Sequence, residues 1–279
     1  MAITASVATI WASSILAGLE RNAVGGACVN RNYEGEIRQK GDSVKVTEVA
    51  DVTIGDYVSG TDITIERAGD TAQTLSITEQ KYFGVEVDRI ENVQTAATGF
   101  VAAVADKATI GLKNTLDQFI FTTMAAGVAA GNAVAEATIS TASDAYDAMV
   151  AWSVLLDEAD VPEEGRWTVV SPAFHGLLLK DSRFVSAGDA TGAATRLNGR
   201  VGEAAGFEVM KSNNLTSGAT TGTVMLAGYR GATTLAEQIS EFDIVDKEKG
   251  FASIVKGLHV YGAKVLRPTG LVSADIIVS

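Results

Sequence analysis

The sequence has few of the residues from which disulfide frameworks and metal sites are built. It contains one cysteine, Cys28, and two histidines, His175 and His259, among 279 residues. A single cysteine excludes an intramolecular disulfide framework and a cysteine-cluster zinc site, and neither histidine has carboxylates at a spacing that would complete a site. We therefore expect no metal and no cofactor, a reducing cytoplasm as the place of folding, and a core position for Cys28.

Positive charge is also scarce. Lys and Arg total 22 against 34 Asp and Glu, and the formal net charge of −12 argues against a surface that holds nucleic-acid phosphates. Only 20% of residues are charged, so much of the surface must be small and polar or covered by other subunits. The uncharged runs 2–19 and 118–135 are too polar to span a bilayer, and no basic region precedes the first. We expect no signal peptide and no membrane segment.

What the sequence does contain is a long amphipathic stretch at 88–126. Asp88 and Glu91 form a capping-box pair at its start, and Gly127 offers an exit at its end. At ~1.5 Å per residue such a helix would reach roughly 55 Å, which exceeds the usual length in a compact domain. Its apolar residues recur with a helical period, at Ile90, Val93, Ala97, Phe100, Val104, Ala108, Leu112, Leu116, Phe119 and Ile120.

Before this stretch the period changes to two, which predicts strands. Short alternating runs occupy 44–54 and 63–65, and a longer run extends from Thr74 to Val87, interrupted by Glu79 and Lys81. A ribbon of that length cannot stabilise itself alone, so it should lie on helices of its own domain or on another subunit. Trp11, Ile15 and Leu19 predict a short helix leading into an arm, which either reaches a neighbour or packs on its own domain.

After the long helix, shorter elements are predicted. A Gly/Ala linker at 125–137 leads to a helix capped by Thr141 and Asp144, and Ser171 caps another helix that begins with Pro172. The region 186–202 is predicted to be a long loop. Predicted strands cover 166–170, 206–210 and 223–227, and a second sheet is predicted from 239–245, 258–265 and 271–278.

No group of residues predicts catalysis. Ser171 and His175 are four residues apart, but no nucleophile-elbow sequence surrounds Ser171, and its role as a helix cap accounts for it. The glycines at 199, 202 and 206 match neither a dinucleotide-binding fingerprint nor a Walker A loop. We expect no catalytic, cofactor-binding or metal-binding residue.

Three blocks in the second half of the chain closely resemble the major capsid proteins of tailed bacteriophages, which share the Johnson fold. The blocks are RWTVVSPAFHGLLLKDSRF (166–184), GRVGEAAGFEVMKSNN (199–214) and VKGLHVYGAKVLRPTGL (255–271). They occur in the family's order, and the first half matches the family as a pattern of arm, extended hairpin and long helix.

The resemblance implies an α+β fold with named parts. It implies an N-terminal arm at 1–42, an extended E-loop hairpin over a neighbouring subunit at 43–87, and a peripheral domain with the spine helix at 88–135. It implies an axial domain at 136–235, whose loop at 186–202 lies near the capsomer centre, and closing strands of the peripheral domain at 236–279. The spine helix should pack against the strand around 258–265.

The implied function is that of a major capsid protein assembling into pentamers and hexamers, which close an icosahedral head around double-stranded DNA. The implied partners are further copies of the chain, with scaffolding, portal and decoration proteins; DNA is enclosed without specific binding, and assembly occurs in the host cytoplasm. An encapsulin-like nanocompartment is the nearest alternative, and a hydrolase using Ser171 is a remote one.

Overall fold

The computed structural model describes residues 24–32, 43–49, 54–56, 59, 60, 62, 65, 70–88, 100–181, 183, 202–247, 250 and 252–279. The predicted helix around Trp11 and nearly all of the predicted 186–202 loop lie outside these residues. The helices are α1 (Val24–Cys28), α2 (Phe100–Gly127), α3 (Ala142–Glu158) and α4 (Pro172–Leu178). The strands are β1 (Ser43–Val49), β2 (Asp70–Ser76), β3 (Glu79–Asp88), β4 (Ala133–Ile139), β5 (Arg166–Val170), β6 (Glu203–Ala204), β7 (Phe207–Lys211), β8 (Thr223–Tyr229), β9 (Thr233–Asp246), β10 (Ala252–Val265) and β11 (Leu271–Val278).

The long helix α2 is present, and its predicted start falls next to residues that lie outside the described part of the chain. Asp88 is the last residue of β3, where it pairs with Ala252. Residues 89–99 lie outside the described part of the chain, and α2 is described from Phe100 onward, 28 residues and roughly 42 Å long at ~1.5 Å per residue. At the other end, a Cβ on Gly127 would lie 2.5 Å from Val265 Cγ2. The helix end packs on β10 at a distance that only glycine permits.

The predicted single strand at 74–87 is two strands that pair with different partners. β2 pairs antiparallel with β1, from Val49 opposite Asp70 to Ser43 opposite Ser76, whereas β3 pairs antiparallel with β10. The break falls at Ile77, which is buried against a neighbouring sheet. β1 and β2 are therefore one antiparallel pair, and β3 is not part of it.

A six-stranded sheet has the order β4-β11-β8-β5-β7-β6, and α3 and α4 pack on one face of it. The predicted cap of α3 is confirmed, because Thr141 Oγ1 accepts a hydrogen bond from the Asp144 backbone N–H at 3.2 Å. Met149, Trp152 and Leu156 bury the predicted face of α3. The predicted linker at 125–137 is wrong in its second half, because Ala133–Ile139 forms β4 alongside β11, and a paired strand overrides a weak local preference.

The second sheet has three strands, in the order β3-β10-β9. The prediction that Leu271–Val278 belongs to it is wrong, because β11 lies between β4 and β8 in the six-stranded sheet. Leu271 contributes to one core and Val272 to the other, so both faces of β11 are covered. Alternation alone could not assign this strand to a sheet, since period-two patterns identify a strand and not its partner.

The long helix packs on the three-stranded sheet. Leu116, Ile120 and Met124 join Tyr261 and Val265 in one buried cluster. The ring centroids of Phe119 and Tyr261 are 5.1 Å apart in an edge-on arrangement. This confirms that the apolar stripe of α2 contacts the strand around 258–265. Among the described residues, no helix is long and apolar enough to cross a membrane.

Candidate assembly surfaces

The hairpin formed by β1 and β2 exposes large apolar side chains. Ile54 and Ile65, in the segment that links the two strands, are 95% and 85% exposed. Both belong to the alternating pattern that marked this region in the sequence. An isolated two-stranded ribbon is at best marginally stable in water, and exposed aliphatic groups at its end favour contact with another surface.

A second exposed apolar feature lies on the three-stranded sheet, and we call it the sheet groove. It has a volume of about 310 Å³ and is lined by Tyr82, Phe83, Gly84, Lys256, Gly257 and Leu258. Gly84 stands opposite Lys256, and a Cβ on Gly84 would meet no atom within 4 Å. Tyr82 is 82% exposed beside this space. The missing side chain at Gly84 thus leaves room next to an unburied aromatic ring.

The sheet groove continues into the buried base of the hairpin. Leu258 lines the groove and also packs against the cluster that Leu75 and Ile77 form with Val260. A Cβ on Gly262 would lie 2.3 Å from the Ser76 backbone oxygen, so the hairpin base touches the sheet backbone there. The hairpin of the same chain therefore already uses one part of this face, and the groove is its uncovered continuation.

Two exposed ion pairs lie on the three-stranded sheet, and one of them includes Lys256 of the sheet groove. Lys247 Nζ lies 2.6 Å from Glu86 Oε1, and Lys256 Nζ lies 3.6 Å from Asp243 Oδ2. Each of these side chains is between two-fifths and half exposed. Such pairs add little to stability, but they give the rim of the groove a fixed pattern of charge that can orient a partner.

A buried polar cluster lies between β9 and β10. His259 Nε2 is 3.5 Å from Glu237 Oε2, and the ring centroids of His259 and Tyr261 are 5.0 Å apart. Burial lowers the pKa of His259 to about 4, with a further lowering from the positive charge of Arg31. Burial and the nearby carboxylate of Glu79 raise the pKa of Tyr261 to about 12. At neutral pH both side chains are therefore uncharged.

Ser171 has the structural role that its sequence position predicts. Its Oγ accepts a hydrogen bond from the Phe174 backbone N–H at 3.3 Å, at the start of α4. A polar cavity of about 520 Å³ adjoins it. The described residues that line this cavity include no His, Asp, Glu or Lys, so the cavity wall supplies no general base for Ser171. Burial lowers the pKa of His175, which is also near Lys211.

The described residues also contain no group of three His, Cys, Asp or Glu side chains that could hold a metal ion.

The sequence pattern of the phage capsid protein family matches residues 72–274. The chain belongs to this family. A chain of Mycobacterium phage Che8 is 28% identical to this capsid protein and superposes with a TM-score of 0.77 over 91% of each chain. No curated protein matches it in a sequence comparison.

Two further structures are similar in fold. A chain from the capsid structure of the cyanophage P-SCSP1u has 16% identity and a TM-score of 0.71, over 91% of this capsid protein and 87% of that chain. A chain from the asymmetric unit of the bacteriophage PhiM1 mature capsid has 15% identity and a TM-score of 0.67, with the same two coverages. The predicted α+β tailed-phage capsid fold is confirmed.

This capsid protein is a major capsid protein that forms the phage head, and its place in the phage is the capsid of the virion. The matched family and structures are structural capsid proteins, and they give no support to an encapsulin-like shell or to a hydrolase.

Two features of these surfaces were not predicted from the sequence. The sheet groove depends on the pairing of β3 with β10, although a glycine inside a strand, Gly84, was a signal of open space or close approach. The second feature is a pair of buried carboxylates, Asp117 and Glu237. Asp117 could have been noticed as a charge between Leu116 and Ile120 in the apolar stripe.

Proposed function

We propose that this capsid protein assembles into pentamers and hexamers that close an icosahedral shell around double-stranded DNA. The proposal also includes assembly in the cytoplasm of the bacterial host, with scaffolding, portal and decoration proteins as partners. The chain acts as a building unit and not as an enzyme. The observation that carries this proposal is the coexistence of an exposed apolar hairpin end and an open sheet groove on one chain.

In this assignment the hairpin of one copy lies over the three-stranded sheet of the next. The two β1–β2 strands of seven residues extend roughly 23 Å at ~3.3 Å per residue, which carries Ile54 and Ile65 away from the sheet on which Leu75 and Ile77 are packed. The hairpin end is therefore placed to meet another copy, and a head-to-tail contact of this type closes into rings when its rotation permits.

The domain division follows the same assignment. Residues 1–42 form the arm, 43–87 the E-loop region, 88–135 the spine, 136–235 the axial domain and 236–279 the closing strands. The pairing of β3 with β10 and the position of β11 support a peripheral and an axial part that exchange strands, so the chain passes between them more than once.

The charge of the chain supports enclosure of DNA without specific binding. A formal net charge of −12 gives a surface that repels phosphates, so packaged DNA can slide along the wall. In a filter-binding assay at physiological salt, assembled shells should therefore bind a negligible amount of DNA. Tight binding that weakens steeply with salt would contradict this part of the proposal.

Electron microscopy of the expressed protein, alone and with its phage scaffolding protein, tests the assembly. We expect closed shells or capsomers from the wild-type chain and neither from Tyr82→Asp, which places an unpaired charge in the sheet groove. Val154→Asp is the matched control, because Val154 is an apolar residue, 47% exposed, on α3 away from the groove. Circular dichroism must show that both variants fold. Shells from Tyr82→Asp would contradict the groove contact, and only monomers from the wild type with scaffold would contradict the function.

A further inference from the structure

Residues 24–32, which we call the strap, connect the long helix to the edge of the three-stranded sheet. At one end, α1 packs on α2 so closely that a Cβ on Gly25 would lie 3.2 Å from Ile120 Cδ1. In the middle, Cys28 and Val29 are buried in the same cluster as Ile120. At the other end, Asn30 pairs in parallel with the outer edge of β9, where its N–H donates to the Thr233 oxygen at 2.9 Å.

Each end of the strap is held by one buried carboxylate. Asp117 Oδ1, on α2, accepts the Gly25 backbone N–H at 3.2 Å, and the residue is 1% exposed. Burial raises the pKa of Asp117. Glu237, on β9, forms an ion pair with Arg31, and its side chain is 6% exposed. Arg31 pairs with Oε1 of Glu237 and compensates the charge of the carboxylate, whereas Oε2 has no hydrogen-bond partner.

The strap has little stability of its own. A helix of five residues is far below the length at which an isolated helix persists in water. Its pairing with β9 is an isolated bridge at Asn30, and a side-chain turn follows at once, because Asn30 Oδ1 accepts the Asn32 N–H at 3.0 Å. Short segments with few backbone contacts can open separately from the rest of a protein, at a free energy below that of global unfolding.

We propose that the strap is a releasable clasp, which opens as a unit while both sheets stay folded, and that the pair of Arg31 and Glu237 controls how often it opens. Opening uncovers two surfaces at once. One is the apolar face of α2 around Ile120, and the other is the backbone of Thr233–Leu235 at the outer edge of β9.

Cys28 provides a direct measurement, because it is the only cysteine and is fully buried in the strap. The thiol reagent dithiobis(nitrobenzoate) is added to the whole chain at pH 7.5, and the labelling rate is compared with the rate in denaturant. The ratio of the two rates reports the fraction of molecules in which the strap is open. Because the thiol is fully buried, the reagent does not reach it in the closed form. We expect labelling of Arg31→Gln to be at least about tenfold faster than labelling of the wild type, since Glu237 is left buried without its cation.

The matched control is Arg183→Gln. Arg183 also pairs with a carboxylate, Asp147, but the pair is exposed and outside the strap. We expect its labelling rate to stay within about twofold of wild type. Equal labelling rates for Arg31→Gln and wild type would overturn the proposal, as would an increase for Arg183→Gln as large as that for Arg31→Gln.

The dependence of labelling on urea separates strap release from unfolding of the whole chain. Release of a small segment exposes little surface, so the wild-type labelling rate should change only slightly in dilute urea. If labelling instead rises with urea as steeply as global unfolding, measured by tryptophan fluorescence, Cys28 is reached only through global unfolding and the proposal is wrong. This second measurement needs no variant, so it decides the matter even if Arg31→Gln does not fold.

Discussion

Replacing His259 should remove a defined part of the acid sensitivity of this capsid protein. The imidazole is 1% exposed, neither ring nitrogen has a hydrogen-bond partner, and its pKa is lowered from 6.5 to about 4. In the unfolded chain the same group binds a proton near pH 6.5. Between these two values the unfolded state holds more protons than the folded state, so stability falls as pH falls.

The size of the effect follows from the two pKa values of His259. Lowering the pH from 7.5 to 5.5 should cost the folded state about 1.3 kcal/mol through this side chain alone. The full cost, roughly 3 kcal/mol, would be reached only below pH 4. The sequence pI is about 4.6, so solubility sets the practical lower limit for the experiment near pH 5.5.

The assay is urea unfolding followed by tryptophan fluorescence at pH 7.5 and 5.5, for wild type and His259→Gln. The variant loses stability at both pH values because packing is disturbed, but its further loss between them should be smaller than that of wild type by about 1.3 kcal/mol. The raised pKa of Asp117 works in the opposite direction, since it favours the folded state at low pH, and it cancels because both proteins contain it. An equal loss in the two proteins would refute the reasoning.

Further changes test the packing. Gly127→Val should destabilise the chain by about 1–3 kcal/mol in urea unfolding, because the added carbon meets Val265 Cγ2 at 2.5 Å; an unchanged midpoint would show that the helix end moves freely. Trp152→Ala should cost about 3–5 kcal/mol, since this 2% exposed ring stacks on Phe174 with centroids 5.8 Å apart. Ser171→Ala should cost only about 1 kcal/mol through the lost cap, and shells of this variant should form normally in electron micrographs; failure to assemble would give Ser171 a role that its hydrogen bond does not explain.

Local signals were most reliable where the residue that makes an interaction lies close to its partner in sequence. The caps at Thr141 and Ser171 join residues three apart, and both were predicted and are present. The buried face of α3 followed from helical spacing in the same way. These interactions are completed within one turn of helix, so the sequence alone contains both partners.

Signals that depend on distant pairing were less reliable. Alternation predicted one strand from Thr74 to Val87, but the chain leaves one partner strand at Ser76 and meets another at Glu79. The residues of β4 were predicted to be a linker, because the strand is stabilised by pairing with β11, which lies over a hundred residues later in the sequence. The sheet groove, the strap and the carboxylates that hold it arise from such long-range contacts. Gly84 and Asp117 were local signals of unusual positions, but neither identified its partner.

The position of β11 sets the order in which this protein can be completed during synthesis. β4 has β11 as its neighbour in the sheet order, and β8 meets β4 only through β11. At a translation rate of roughly 5–20 residues per second, the ribosome needs on the order of ten seconds to proceed from β4 to β11. Until β11 is made, β4 lacks this neighbour, and β8 lacks one of its two neighbours from the time it is synthesised. A capsid protein is made in many copies at once, so closure by β11 also decides when a new subunit stops being a partner for aggregation.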